Sequence, residues 1–317
     1  MELSKLKVMV TGGAGFIGSH LVDRLIETEN QVIVYDSFDE YYQGKEKNVR
    51  QHLSDSNFTL IRASILESEI LLKAVQGVDI IFHLAAQPGV RFSLENPAKT
   101  NHVNTCGTIN VLRAAVQARV KKVVFASSSS VYGIPKYMPI DEEHPTEPIS
   151  IYGASKLAGE VCCRIFCKLW GLPVVMLRYH TVYGPRQRPD MAIRRWTELL
   201  LRNDAPVIYG DGNQTRDFTY VSDIVEGTLL AAEVDGLGGQ VFNLGGGSRV
   251  SVNDVVRNII ELTGKRNVRP LYQSPNAGDV PDTHAEIKKA KQILGYDPKV
   301  TLKEGLRNFV KWLAESK

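Results

Sequence analysis

The run KVMVTGGAGFIG, from Lys7 to Gly18, decides how the rest of the chain is read. Its first five residues, Lys7–Thr11, form a short apolar stretch of strand length. Gly13, Gly15 and Gly18 then satisfy the G-x-G-x-x-G spacing, with Gly12 directly before them, and Phe16–Thr28 is expected to be a helix. Glycines at those places permit a tight turn and let a pyrophosphate approach the start of the helix. Alone, such a run is weak, because glycine-rich turns are common. Here a strand precedes it, a helix follows, and a second apolar stretch, Gln31–Tyr35, ends at Asp36, about 20 residues on. A carboxylate there accepts hydrogen bonds from a ribose diol and repels a 2′-phosphate, and Ser37–Phe38 brings no arginine. The expected ligand is NAD rather than NADP, held by Gly12, Gly13, Gly15, Phe16, Ile17, Gly18, Asp36 and Ser37.

Outward from that run the rhythm continues. Asp79–His83, Lys122–Ser127 and Val174–Arg178 are further short apolar stretches, each preceded by a helical pattern. Such runs, separated by helices, predict a parallel sheet covered on both faces: an α/β, doubly wound fold of Rossmann type. Beyond Tyr179 glycines and prolines punctuate shorter elements, and helical patterns return at Asp223–Glu233, Val252–Thr263, Glu286–Leu294 and Leu302–Leu313. We expect a cofactor domain over residues 1–179, rejoined by 218–244 through a strand at Gln240–Leu244. A smaller C-terminal substrate-binding region would comprise 180–217 and 245–317.

Of the 317 residues 43% are hydrophobic and 23% charged, which supports a sizeable core. The formal charge of +3 is carried by scattered Lys and Arg, which argues against nucleic acid and against an anionic membrane as partners. No signal-like segment and no apolar run of spanning length is seen, so a soluble cytoplasmic protein is expected. Cys162, Cys163 and Cys167 share one helical segment without His or Cys at zinc spacing, so no metal is expected.

Tyr152-Gly153-Ala154-Ser155-Lys156 opens a helix, and the i, i+4 spacing puts phenol and ammonium on one face. Tyrosine titrates near about 10, and a close cation favours its phenolate. Ser127–Ser130 stand at the end of the strand from Lys122, where doubly wound folds bind ligands. Tyr-x-x-x-Lys alone is a chance pattern. Joined to the dinucleotide run and the serines, it becomes specific.

In this combination the chain resembles the extended short-chain dehydrogenase/reductases acting on nucleotide sugars, the NAD-dependent epimerase/dehydratase family. The matching pieces are Thr11–Gly18, His83–Ala86 (HLAA), Ser127–Gly133 (SSSSVYG), Tyr152–Lys156 (YGASK) and Arg216–Asp223 (RDFTYVSD). They follow family order and span nearly the whole chain. The resemblance implies that Tyr152 is the general base or acid on a sugar hydroxyl and that Ser128 hydrogen-bonds the same hydroxyl. Lys156 would hold the nicotinamide ribose and lower the tyrosine pKa. Leu84, Ala85 and Ala86 join the implied cofactor contacts, as do Ser64 and Ile65, where the family often has Gly-Asp-Ile in place of Ala63-Ser64-Ile65. Arg216 would grip the diphosphate, and Asn104 would support the active-site region.

Members share a first step, in which the tyrosine takes the hydroxyl proton and hydride passes to NAD. Those that dehydrate carry Asp and Glu just after the catalytic serine or threonine, and decarboxylases usually carry Glu at the second of these positions. This chain has Ser129 and Ser130, hydroxyls that do not titrate near neutrality. C4 epimerisation of a UDP-hexose through a 4-keto intermediate is therefore expected. The alternatives are a UDP-glucuronate decarboxylase, a 4,6-dehydratase, and a non-catalytic NAD or sugar-nucleotide sensor. Gln87–Pro97 and Arg178–Ala192 look most like UDP-glucuronate 4-epimerases. By that resemblance Thr181, Arg188, Ser129 and Ser130 would meet a C6 carboxylate. Asn276, three residues before Asp279 on the same substrate segment, stands where galactose-type epimerases place arginine. Thr283 aligns with a gatekeeper whose small size leaves room for an N-acetyl group. The sugar stays open among the glucuronate, N-acetylglucosamine and glucose series. Helices Gly107–Ala118 and Tyr152–Leu169 match those that pair family subunits, which implies a homodimer.

Overall fold

The structure, a computed structural model, describes residues 2–275 and 280–316. Seven strands form its central sheet: β1 Lys7–Thr11, β2 Gln31–Asp36, β3 Phe58–Arg62, β4 Ile80–His83, β5 Lys122–Ser128, β6 Val174–Tyr179 and β7 Val241–Leu244. They pair in parallel in the order β7-β6-β5-β4-β1-β2-β3. This is the doubly wound sheet expected, with an additional edge strand, β3, that the apolar pattern did not reveal.

Successive side chains of a strand point to opposite faces. Val8 and Val10 therefore pack with Leu21, Val22 and Leu25 of helix α1 (Phe16–Glu27) on one face, whereas Met9 lies in the cluster on the other. That second cluster includes Val111 and Leu112 of α2 (Gly107–Gln117) and Cys163 and Phe166 of α3 (Ile151–Trp170). Burial on both faces is why these strands read as unbroken apolar runs.

A third apolar cluster is built from the later part of the chain. It joins Trp196 and Leu200 of α4 (Ala192–Leu201), Val255 and Ile259 of α6 (Val252–Thr263), and Leu306 and Phe309 of α7 (Leu302–Glu315). Short two-stranded ribbons stand beside it, including Thr215–Arg216 with Val250–Ser251. Helix α5 (Val221–Glu233) belongs instead to the first cluster, through Ile224 and Val225.

A buried polar seam binds the far side of the sheet together. Arg178 donates from Nε and Nη2 to the two oxygens of Glu160, at 2.9 and 2.8 Å, and the Ser127 hydroxyl donates to Glu160 at 2.6 Å. Asn243 of β7, in register with Arg178, accepts from the Tyr132 hydroxyl at 2.7 Å. The Asn243 amide donates to the Ile140 carbonyl at 2.9 Å, and its backbone N–H donates to Glu142 at 2.7 Å. A buried pair of this kind is strongly destabilising to break, because one charge is left without its partner.

Candidate active site

A chamber of roughly 500 Å³ runs along the ends of β1, β2, β4 and β5. Gly12 turns the chain out of β1 with φ +72°, and a Cβ there would stand 2.8 Å from the Ala85 nitrogen. The left-handed glycine is thus Gly12, one residue before the fingerprint begins. Gly18 serves packing, since a Cβ on it would meet the Gly12 carbonyl at 2.2 Å. Gly15, Phe16, Ile17 and Gly18 bring the start of α1 to the chamber wall, and Asp36, Ser37, Ser64, Ile65, Leu84, Ala85 and Ala86 complete it. Gly13 does not line the chamber; it packs behind the wall, where a Cβ would press on Val34.

Asp36 accepts from the N–H groups of Ala14 at 3.1 Å and Phe38 at 2.8 Å. Burial raises its pKa, opposed by the Phe38 N–H and the Lys45 charge. The arginine that Ser37–Phe38 lacks arrives from β3, where Arg62 lies 4.1 Å over the Phe38 ring and pairs with Glu46 at 3.6 Å. A glycine cradle, a helix start and a carboxylate at the end of the second strand fit a dinucleotide.

The far end of this chamber carries Tyr152, Lys156 and Arg188. Helix α3 starts cleanly because the Ser150 hydroxyl caps the Gly153 N–H at 3.1 Å. One turn later, buried Lys156 donates to the Ala126 carbonyl at 2.8 Å and sits 5.1 Å above the Phe125 ring. Burial pulls its pKa down to about 8, against the opposing pull of Cys163 and Glu160. Burial raises the Tyr152 phenol, while the Arg188 charge and a hydrogen bond with Ser128 pull it back. The Lys156 ammonium is turned to the Ala126 carbonyl, and the cation that acts on the phenol in this arrangement is Arg188.

Arg188 does not present an open fork to a substrate carboxylate. Its Nε and Nη2 each donate to an oxygen of Asp190 at 3.0 Å, and the Tyr41 hydroxyl donates to the same carboxylate at 3.1 Å. Tyr41, which lines the first chamber, and Asp190, which holds Arg188, are not marked by any motif in the sequence.

A second, smaller chamber of about 190 Å³ brings together Ser129, Ser130, Thr181, Arg216 and Thr283, but not Arg188. Ser128 donates to the Ser130 hydroxyl at 3.1 Å and accepts from the Ser130 N–H at 3.2 Å, which fixes the serine turn. Arg216 is braced by the carbonyls of Thr215 and Pro281, at 2.8 and 3.0 Å. Thr283 accepts from the Asp217 N–H at 3.1 Å. Among the described residues no carboxylate lines this chamber. Asn276 and Asp279 lie outside the described residues.

His83 is a packing residue, held between the hydroxyls of Thr11 at 2.7 Å and Thr108 at 3.0 Å. Burial, with Lys156 nearby, lowers its pKa to about 3, so it stays neutral.

The GDP-mannose 4,6 dehydratase family matches residues 9–309. The chain belongs to that family. Among its relatives, UDP-glucuronate 4-epimerase 4 of Arabidopsis thaliana is 38% identical, over 97% of this chain and 75% of its own length. The crystal structure of a Bacillus cereus UDP-glucuronic acid 4-epimerase, in complex with UDP-glucuronic acid and NAD, matches with a TM-score of 0.93. That protein is 37% identical, with 98% of this chain and all of the other covered. A UDP-N-acetylglucosamine 4-epimerase from Methanobrevibacter ruminantium, in complex with UDP-N-acetylmuramic acid, matches with the same TM-score at 33% identity, over 99% of this chain and 100% of the other. The family thus joins dehydratases and epimerases on one fold, and the residues beside Tyr152 must decide between them.

Proposed function

We propose that this protein is an NAD-dependent UDP-sugar 4-epimerase working through a 4-keto intermediate. One observation carries the reading: the polar side chains of the second chamber, next to the Ser128–Tyr152 pair, are hydroxyls and one arginine set among Val90, Ile140, Ile149 and Val280, with no carboxylate among the described residues. Elimination of water needs a positioned acid and base on the sugar, and Ser129 and Ser130 do not titrate near neutrality. Oxidation followed by return of the same hydrogen needs, besides NAD as the hydride acceptor, only Tyr152 as acid and base.

Bound in the first chamber, NAD supplies an acceptor that takes the C4 hydride and gives it back. Lys156 holds the cofactor's ribose, Ser128 holds the sugar hydroxyl, and Tyr152 removes its proton. Arg216 anchors the diphosphate, by charge-assisted hydrogen bonds. The keto sugar would turn among Ser129, Ser130, Thr181 and Thr283 to offer the other face of C4 to the returning hydride, and Tyr152 gives the proton back to the C4 oxygen. Because the Arg188 fork is engaged by Asp190, a C6 carboxylate would be met mainly by the hydroxyls of Ser129, Ser130 and Thr181. Residues 1–179 and 218–244 are assigned to the cofactor, and 180–217 and 245–317 to the sugar nucleotide.

The protein acts as a homodimer in this reading. Val161, Ile165 and Leu169, four residues apart on α3, are exposed with Trp170 and form a stripe suited to a second copy. Four free thiols agree with the reducing cytoplasm.

The test is incubation of the purified protein with UDP-glucuronate, UDP-N-acetylglucosamine and UDP-glucose separately, with products followed by NMR and mass. An isobaric C4 epimer from one of them is the expected result, and it names the sugar. A product lighter by carbon dioxide or water would replace the reading with decarboxylation or dehydration.

A further inference from the structure

Arg188 reaches the first chamber from a short segment that other parts of the chain hold in place. Residues 184–190 leave the strand Val182–Tyr183 and lead into α4. Within them Arg186 has φ +65°, a left-handed backbone that a residue with a side chain rarely adopts. Such a conformation persists only where its surroundings enforce it. Helix α1 supplies two of the restraints. Arg186 Nη1 donates to Asp23 Oδ2 at 2.7 Å, and His20 Nε2 donates to the Pro185 carbonyl at 2.9 Å. Burial and the Arg186 charge pull the His20 pKa down to about 4, so near pH 7 the ring is neutral and that nitrogen carries its proton. Helix α4 supplies another, because Arg194 donates to the Gln187 carbonyl at 2.5 Å.

Asp23 is itself fixed. Its Oδ1 accepts from Gln51 at 2.8 Å and from His52 at 2.7 Å, so one carboxylate of α1 gathers three donors. An exposed ion pair contributes little. This one is largely covered, with the Arg186 and Asp23 side chains 19% and 22% exposed, and it pins a left-handed residue two positions before Arg188. His20, Asp23 and Arg186 line neither chamber, whereas Phe16, Ile17 and Gly18 at the start of the same helix line the first. One helix thus faces the cofactor chamber and holds the segment that sends Arg188 into it.

We propose that Asp23 and Arg186 are positioning residues for the reaction: their ion pair fixes residues 184–190 on α1 and so holds the Arg188 guanidinium at the Tyr152 end of the first chamber. This rests on the epimerase reading above. Because neither residue reaches a chamber, each acts on the phenol only through Arg188, the cation that favours its ionised form.

Asp23→Asn and Arg186→Met each break the pair without changing a chamber wall. Turnover across pH, KM, NAD affinity and melting temperature are compared with those of Arg188→Met. Both variants should lower kcat about 10- to 100-fold, the effect of a displacement of about 1 Å far from the chemistry, with KM and NAD affinity kept. The limb of the kcat profile that reports the phenol should move up by about one pH unit, as it should in Arg188→Met, because the phenolate loses its cation. Adding Arg186→Met to Arg188→Met should change little further. Arg186→Lys should recover most of the rate, since a single guanidinium nitrogen meets Asp23. A lower melting temperature with an unmoved pH limb, or losses from Arg186→Met and Arg188→Met that multiply, would make the pair a support of the fold alone and overturn the proposal. Undiminished turnover in Asp23→Asn and Arg186→Met overturns it too. Wild-type protein that epimerises no UDP-sugar would sink the parent reading and this one together, a result distinct from any behaviour of the variants.

Discussion

The first chamber takes its walls from the ends of neighbouring strands, with Gly12 directly after β1, Asp36 as the last residue of β2 and Leu84 directly after β4. The second takes Ser129 and Thr181 from just beyond β5 and β6, but Arg216 and Thr283 from later excursions of the chain, held by short ribbons and loops. The contrast teaches where variation is tolerated. Residues at strand ends inherit their positions from the sheet, so the cofactor site is common property of the fold. Residues on ribbons depend on local bracing, such as the two carbonyls behind Arg216, and can change with the substrate.

Substitutions can break or sharpen that contrast. Tyr152 lines the first chamber and is hydrogen-bonded to Ser128 beside the second, so Tyr152→Phe should lower turnover on the order of 10³-fold, while NAD and the UDP-sugar both still bind. Near-normal turnover in an NMR assay would remove the phenol from the mechanism. Arg216→Ala should raise the KM for the sugar nucleotide about 10- to 100-fold, the loss of charge-assisted hydrogen bonds, with NAD affinity unchanged. Were NAD affinity to fall equally, the two chambers would not be independent. Gly18→Ala is the mirror test. Its methyl group would collide with the Gly12 carbonyl, costing about 1–3 kcal/mol of stability and weakening NAD binding before sugar binding. An unshifted melting curve would show that the turn yields easily.

The smallest effect concerns pH. Lys156 titrates at about 8 in the folded protein, below the ordinary lysine value. Between those two values the unfolded chain holds more protons than the folded one, so this residue makes stability rise with pH there; below about 8 its cost is full. Lys156→Met should flatten that slope in denaturation curves collected across the window. A slope that persists would belong to another group.

The sheet is legible in the sequence wherever a strand is apolar on both faces, as in β1, β5 and β6. Strand β3 is not, because it lies at the edge: Phe58 is buried, Thr59 and Arg62 are exposed, and no unbroken apolar run results. The dinucleotide turn and the Tyr152–Lys156 pair are local motifs, readable because their parts are neighbours in the chain. The Tyr41–Asp190 contact joins residues 149 apart, and no spacing rule announces it. Nor does any motif reveal that Arg188 is already engaged, since pattern marks a guanidinium but not its partner. Asp23 looks like an ordinary surface carboxylate of α1 until Arg186, 163 positions later, is seen meeting it.

Asn243 has a consequence for how the sugar pocket can evolve. The carbonyl it grips belongs to Ile140, a residue of the second chamber, and Ile140 is bonded again to His284 and Glu286 through its backbone. Any shift of the Ile140 backbone to enlarge the pocket therefore tugs on an outermost strand of the sheet. Libraries varied there should lose soluble protein before they gain substrates, and those varied at Thr181 or Thr283 should yield new specificities at normal expression.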